Sequence, residues 1–456
     1  MLSTIAALTP TDHDMSSRAH RLALLQRVLR GTIYDVLPYE FHEERNSAGE
    51  YIPLRQRRPS VRYPLARIVV DDSLSLIFSD GHFPAIHTPH ADTRVSLSDI
   101  AAEAGLNQIM ADAALRGSIG SVAIQLRVLK SRIFFRVLDT NNLTPLYDPE
   151  EPDALLSVTE RYKVAGATLA AQGYDLPDPE ATYWFQRVWD AKAETWFLPQ
   201  PLDVEAAPLL DEARTVRHAL GFVPMVWIRN LPGGDEIDGA CTFRPAIETA
   251  IEIDYQLSQA GRGLKYSSDP LLMIREPAGA DGEIARGGGN ALMVSEKGDA
   301  KLLEIGGTAA SAVIDYVRCL REMALEGVHG NRASADRIAA AQSGRALELM
   351  NQGLVWLADN LRVNYGRGML QLARMVLRAS EIYSLTAYGV ALPELDATTR
   401  LSLVWPRWYP STAQDRAADA QTLVALTTAG LLSREAAGSS ITDLFGVGTA
   451  ATVTEA

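Results

Sequence analysis

Between Leu347 and Val376 apolar side chains return at steps of three and four: Leu347, Met350, Leu354, Leu357, Leu361, Tyr365, Met369, Leu372 and Val376. That period is the signature of an amphipathic helix. A helix continuous over 344–379 would be about 54 Å long at ~1.5 Å per residue, which is long for a small globular domain. Gly353, Gly366 and Gly368 fall inside the pattern. Each interior Gly costs about 1 kcal/mol relative to Ala, so the pattern predicts a bend at Tyr365 to Gly368. Read from its residues alone, the segment also fits a plain core helix.

The rest of the chain has to accommodate this element. Its 456 residues suffice for two or three domains, and 47% hydrophobic against 22% charged content is a normal balance for burying a core. No apolar run approaches the roughly 18 residues of a membrane span, and the opening MLSTIAALTPTDHD lacks the basic region of a signal peptide. The expectation is a soluble, intracellular product with no membrane partner. Cys241 and Cys319 are far apart and have no metal-ligand spacing, so they are expected to be buried thiols. A formal charge of -13 argues against a protein that grips nucleic acid, because phosphate binding relies on Lys and Arg. It is compatible with a conduit, since an acidic wall holds a polyanion weakly.

Along the chain, residues 16–31 read as a basic amphipathic helix on the surface, with Leu22, Leu25, Val28 and Leu29 on its stripe. The arginines at 55, 57, 58, 62 and 67 are punctuated by Pro53, Pro59 and Pro64, which predicts a loop or extended arm. Residues 66–79 are a buried helix or strand, 99–116 a helix, and a strand-rich region runs from Gly117 and Gly120 to about 230. From 241 the character is helical: 244–262, then short strands over 267–306, then 308–326. In the last of these Val313, Tyr316, Val317, Leu320, Met323 and Ala324 share a stripe. A strand-like TRLSLVWPRWYP, a helix at 412–429, Gly430 as its stop and a small-residue tail complete the chain.

Motifs for chemistry fail one by one. No G-x-x-x-x-G-K-[ST] phosphate loop occurs, and GGGNA at 287–291 has no Lys. His82, His87, His90 and Asp92 are metal-ligating types, but their spacing fits no strong motif and Pro84 and Pro89 make the segment a loop. GSIGS at 117–121 has Ile119 where a nucleophile elbow needs Ser. Asp71 and Asp72 are adjacent, so they point in different directions and make no acid/base pair. No catalytic residue, cofactor or metal is expected.

The order of segments resembles the portal proteins of tailed phages of the long-tailed, siphophage type. PLARIVVDDSLSLIFSDG resembles the wing helix of that family and GSIGSVAIQLRV its glycine-led strand. RVLDTNNLTPLYDPEEPDALLSVTERYKV is similar to the strand, turn and strand that follow, and GFVPMVWIRN to the strand entering the stem. TAIEIDYQLSQAGRGLKYSSDPLLMI resembles the first stem helix, and ASAVIDYVRCLREMALEGVHG the returning one. SGRALELMNQGLVWLADN resembles the opening of the long helix beyond the tunnel loop, and VWPRWYPSTAQDRAADAQTLVALTTAGLLSREA the entry to the crown. The resemblance covers about 60–437 in the family's order.

It implies an α+β portal fold. The N-terminal arm and α/β wing would occupy 1–240, a stem helix 241–266, a small β-containing clip 267–306, and a second stem helix 307–326. A tunnel loop would follow at 327–343, then a long kinked tunnel/wing helix and wing return at 344–410, and a short helical crown with its tail at 411–456. It further implies assembly as a homo-oligomeric ring, by family analogy a dodecamer, at one capsid vertex. The implied partners are double-stranded DNA passing through the channel, the large terminase, major capsid and scaffolding proteins, and a head-completion or adaptor protein. Helices 244–262 and 308–326 are each marginal alone, and side-by-side stacking in a ring would bury their stripes. The implied tunnel-loop residues are Gly330, Asn331, Arg332, Ser334, Asp336 and Arg337, and the implied clip docking residues Pro277, Gly279, Asp281, Glu283 and Arg286. Alternatives are another structural virion component, such as a connector or baseplate protein, and a phage DNA-processing enzyme.

Overall fold

The computed structural model describes residues 1–9, 15–204, 206–268, 271–277, 294–303, 307–330, 344–409, 413–433 and Ala437. After a short α1 (Leu2–Leu8), Ser16 opens α2 (Ser17–Arg30) by accepting from the Ala19 backbone N–H at 3.1 Å, an N-cap that satisfies one orphan donor of the first turn. The helix is not a surface element: Leu24, on the side away from Leu22, Leu25 and Leu29, is buried as well. The arginine-rich arm that follows contributes a two-residue parallel pair, β1 (Tyr39–Glu40) with β2 (Arg57–Arg58).

The apolar run at 66–79 resolves into a helix, α3 (Leu65–Phe78). Beyond β3 (Ala85–His87), the helix expected at 99–116 is two elements, α4 (Ala91–Glu103) and α5 (Leu106–Gly117). Gly105 parts them at φ +64, a left-handed conformation that ends one helix and costs a glycine little.

The strand region is antiparallel throughout. It comprises β4 (Ser121–Leu129), β5 (Arg132–Asp139), β6 (Leu143–Tyr147), β7 (Leu155–Ala165), a short α6 (Gly166–Ala171), β8 (Thr182–Asp190), β9 (Ala193–Trp196), β10 (Gln200–Pro201), β11 (Val216–Arg217) and β12 (Met225–Arg229). One sheet runs β12-β4-β5, and the other β11-β9-β8-β7-β6 with β10 also on β8. Pairing without any β-α-β crossover is what makes this region α+β. Next come α7 (Ile247–Ser268), β13 (Leu271–Pro277), β14 (Val294–Leu303) and α8 (Gly307–Gly327). The chain ends with α9 (Gly344–Met350), α10 (Gln352–Ser380), β15 (Thr386–Ala387), β16 (Val390–Ala391), β17 (Ser402–Val404) and α11 (Ala413–Thr428).

Two compact units result. The first combines Met1–Val69 with Phe243–Val328, and the second Val70–Thr242 with His329–Ala456. The division therefore falls inside the segment 1–240, at Val69 and Val70.

In the second unit, alternate residues of β8 point inward: Tyr183, Phe185, Arg187 and Trp189. An arginine in such a row must be neutralised locally. Arg187 Nε donates to Glu160 at 2.5 Å and Nη1 to Glu194 at 3.3 Å, while its guanidinium stacks 4.3 Å from Trp189 and 5.0 Å from Trp196.

The long helix departs from expectation in one respect. It is continuous for 29 residues through Gly366 and Gly368, and the break lies earlier, at Asn351, with φ −109 and ψ 22. There the Asn351 side chain donates to Leu347 O at 2.9 Å, and its backbone N–H donates to the same carbonyl at 3.1 Å. Competition of this kind between side chain and backbone distorts a helix. The glycines serve close approach instead: a Cβ at Gly368 would overlap the Ile228 side chain, and one at Gly366 would lie 3.2 Å from both Leu403 and Trp405. Tyr365, fully buried beside them, reaches Asn230 Oδ1 at 3.2 Å.

Helix propensity alone favours Ala over Gly by about 1 kcal/mol. Gly353 has no neighbour closer than 3.5 Å to an added Cβ, so G353A is expected to hold or raise stability in denaturant unfolding. G368A is expected to lose about 1–3 kcal/mol through overpacking. An equal gain in both variants would show that close packing is not what holds Gly368.

Candidate functional site

The first unit contains a helix, a two-stranded hairpin and a returning helix, and the candidate site is built on these. In α7 the residues Ile251, Ile253, Tyr255 and Ser258 are buried, and α7 packs on α8. β13 pairs antiparallel with β14, from Leu271 opposite Leu303 to Pro277 opposite Val294, with an irregularity after Arg275. The helix expected from 241 starts at Ile247, because residues 244–246 form a 3-10 turn with Pro245 in it.

A buried polar network fastens the N-terminal arm to α7. Asp254 is only 5% exposed and accepts from Tyr34 Oη at 2.6 Å and from the Tyr63 backbone N–H at 2.6 Å. Its neighbour Tyr255 donates to Arg57 O at 2.7 Å, and Ser258 Oγ accepts from the Val61 N–H at 3.0 Å. Arg57 is itself 1% exposed, its Nε and Nη2 donating to Ile52 O at 2.9 and 2.6 Å. Arg62 pairs with Asp35 at 3.1 Å, and Arg321 of α8 donates to Tyr63 Oη at 3.0 Å. The arginine-rich arm is thus largely consumed in structure.

Burial pushes the Asp254 carboxyl up to about 6, against the opposing pull of its hydrogen bonds and of Arg62. Burial also raises the Tyr34 hydroxyl, helped by the neighbouring Asp254 charge. Asp254 faces a cavity of about 380 Å³ that Leu29, Ile33, Pro64 and Ile251 also line. Both of its oxygens are engaged, so its role is to hold the arm on α7.

On α8 the expected stripe divides. Val313, Val317 and Leu320 are half-buried and Ala324 is buried, but Tyr316 and Met323 are 47% and 60% exposed. The helix winds so that Tyr316, Cys319 and Met323 form a second face next to the first. Cys319, expected to be buried, is exposed with Sγ 3.9 Å from Met323 Sδ, and Cys241 is half-buried.

Of the docking candidates, Pro277 lies at the end of β13, while Gly279, Asp281, Glu283 and Arg286 lie outside the described residues. Of the tunnel-loop candidates, Gly330 is buried and follows His329, whose φ is +54 and whose ring meets Trp356 edge-on at 6.3 Å. Asn331, Arg332, Ser334, Asp336 and Arg337 lie outside the described residues.

The histidine-rich loop serves local structure. His82 bonds Ser79 Oγ and Trp408 O, both at 2.8 Å, and His87 lies in β3 opposite Ser402. Among the described residues no three His, Cys, Asp or Glu side chains are placed to hold a metal. No described helix is long and apolar enough to cross a membrane.

The sequence matches no family model and no curated protein. Among solved structures it is similar to a chain in the neck of an empty GTA particle computed with C6 symmetry. The TM-score is 0.43 and the identity 11%, over 84% of this chain and 89% of that one.

The Asp254 network has a pH signature. A carboxyl held at about 6 in the folded state, against an ordinary 3.8, keeps its proton longer when folded, so its contribution to stability falls as pH rises from about 4 to about 6. Asp254→Asn removes that titration. The variant is expected to gain on the wild type by on the order of 2 kcal/mol between pH 4 and 7 in denaturant unfolding. Parallel pH profiles would place the Asp254 pKa at its ordinary value.

Proposed function

We propose that the chain is the subunit of a phage portal ring, a conduit for double-stranded DNA and a docking platform, and that it is a structural protein with no catalytic role. The observation that carries this is the run of helix, β-hairpin and returning helix at 247–327, set in the chain between an antiparallel α+β region and the long helix α10, which α9 directly precedes. An exposed apolar face on the returning helix supports it. Tyr316, Cys319 and Met323 are uncovered in the single chain, and a ring gives every such face the flank of the next subunit.

Within this reading the hairpin β13–β14 belongs to the clip that meets the terminase and later the adaptor, and residues 327–343 are the tunnel loop. The net charge of -13 supports passage over retention.

Negative-stain images of purified protein are expected to show closed rings with an axial hole wide enough for duplex DNA. The double variant Y316E/M323E should keep the wild-type circular dichroism and lose the rings, because it places charge at an apolar contact. A wild-type monomer at micromolar concentration would overturn the ring, and undiminished rings in the variant would remove this face from the subunit contact.

The tunnel loop is tested separately in particles. Exchanging both Arg332 and Arg337 for Glu should leave rings intact and lower the yield of packaged DNA. An unchanged genome length and yield would show that neither arginine meets DNA.

A further inference from the structure

The second unit carries a row of arginines that the sequence reading did not single out. The residues Arg367, Gln371, Arg374 and Arg378 of α10 follow one another at steps of four, three and four, so they share one face of the helix. The row extends about 16 Å from Arg367 to Arg378 at ~1.5 Å per residue. The opposite face is buried through Met369, Leu372, Ala373, Val376 and Leu377, which fixes the direction of the row. All three arginines are exposed, and so is Arg229 at the end of β12. Together they border a cavity of about 480 Å³ between α10, the segment 222–229 and the loop 151–155.

Two of these guanidiniums lie against rings. Arg378 stacks 4.4 Å from the Phe222 ring and Arg229 5.6 Å from the Tyr147 ring. Only Arg367 has a carboxylate, that of Asp153. Among the described residues no carboxylate pairs with Arg229, Arg374 or Arg378. Rings orient Arg378 and Arg229 without neutralising them, and with Arg374 also unpaired by a carboxylate the groove keeps a local positive field.

The geometry points to a track for the phosphate backbone of duplex DNA along Arg367, Arg374 and Arg378, with Arg229 on its far side. This rests on the reading that duplex DNA is what the chain conducts. Several facts favour a repeating phosphate over a single anion. The cations form a line and not a cup, all are arginines, whose planar forks match phosphate oxygens, and Gln371 adds a neutral donor in the same row. The acidic segment 148–153 supplies Asp153 to one end of the row and so occupies one place that a phosphate would take. DNA would displace that carboxylate and release counterions from the remaining arginines.

The test uses the full chain, with binding of a labelled random-sequence duplex followed by fluorescence anisotropy from about 50 to about 200 mM salt. In R374Q/R378Q two phosphate contacts are lost. The slope of log affinity against log salt should become shallower by about 2, which makes the loss of affinity over that range about tenfold smaller than in the wild type. D153N should bind more tightly than the wild type, since it frees Arg367. R94Q, at an exposed arginine outside the row, should leave the slope unchanged.

Negative-stain images are taken of the same samples. Intact rings with an unchanged slope in R374Q/R378Q overturn the track and leave the ring reading standing. Rings lost in R374Q/R378Q but present in the wild type assign the row to an acidic face of a second copy, which also overturns the track. A wild type that neither forms rings nor binds duplex overturns both.

Discussion

The distance between α10 and β12 is set at Gly368, where the helix backbone lies directly against the Ile228 side chain. A side chain at that position would lift the helix from the sheet, and everything aligned by the contact would move with it. Tyr365, three residues earlier, reaches Asn230 only because of this proximity, and Asn364 donates to Asn230 O at 2.7 Å for the same reason. Asn230 in turn donates to Ala240 O at 2.9 Å and to Thr242 Oγ1 at 2.8 Å, so the chain leaving β12 is tied to the helix that crosses it. Further along, Arg362 is held by Trp405 and Trp408, at 4.8 and 3.2 Å from the ring centroids, which fastens the segment after β17 to the same helix. Burial lowers the Arg362 guanidinium to about 10, so it still carries its charge at neutral pH.

Each unit also depends on a charge taken inside. Arg187 in the second unit and Asp254 in the first sit at positions where the local pattern calls for apolar side chains. A buried ion pair gains little over a hydrophobic equivalent, whereas removing one partner leaves the other uncompensated at about 3–5 kcal/mol. Such groups restrict alternatives more than they add stability. With Glu160 and Glu194 bound to one guanidinium, β7, β8 and β9 have one register that satisfies all three charges. With Asp254 bound to Tyr34 and the Tyr63 N–H, the N-terminal arm has one seat on α7.

What the sequence made legible was local. The 3.6-residue period located α2, α10 and α8, and the stop at Gly430 followed from cap chemistry. The errors share a cause, which is that the deciding partner is remote in sequence. A helical glycine reads as a weak point until Ile228 is beside it, which is why the bend expected at Tyr365 to Gly368 is instead a contact. The arginine-rich segment reads as a loop or extended arm, and nothing local shows that Asp254, 191 residues from Tyr63 and 220 from Tyr34, seats it. On α8, Tyr316 and Met323 share one apolar stripe in the sequence, and only packing against α7 shows which half of that broad face is covered within the chain. Adding a second subunit changes that accounting, so a stripe wider than one neighbour can bury is itself information about assembly.

The arginine row on α10 recurs in the sequence at the same period as the apolar pattern, offset around the helix, in a chain whose net charge of -13 argues against a grip on nucleic acid. Net charge is a property of the far field, and screening confines it to about 8–10 Å at physiological salt. Within that distance a phosphate responds to the particular groups it meets. Some arginines find a carboxylate at that range, as Arg58 does with Glu40 and Arg62 with Asp35. Arg378 stacks on Phe222 with no carboxylate beside it among the described residues, so its charge stays available at that range. A row of arginines without carboxylates therefore gives an acidic chain a local line of positive charge that its net charge does not reveal.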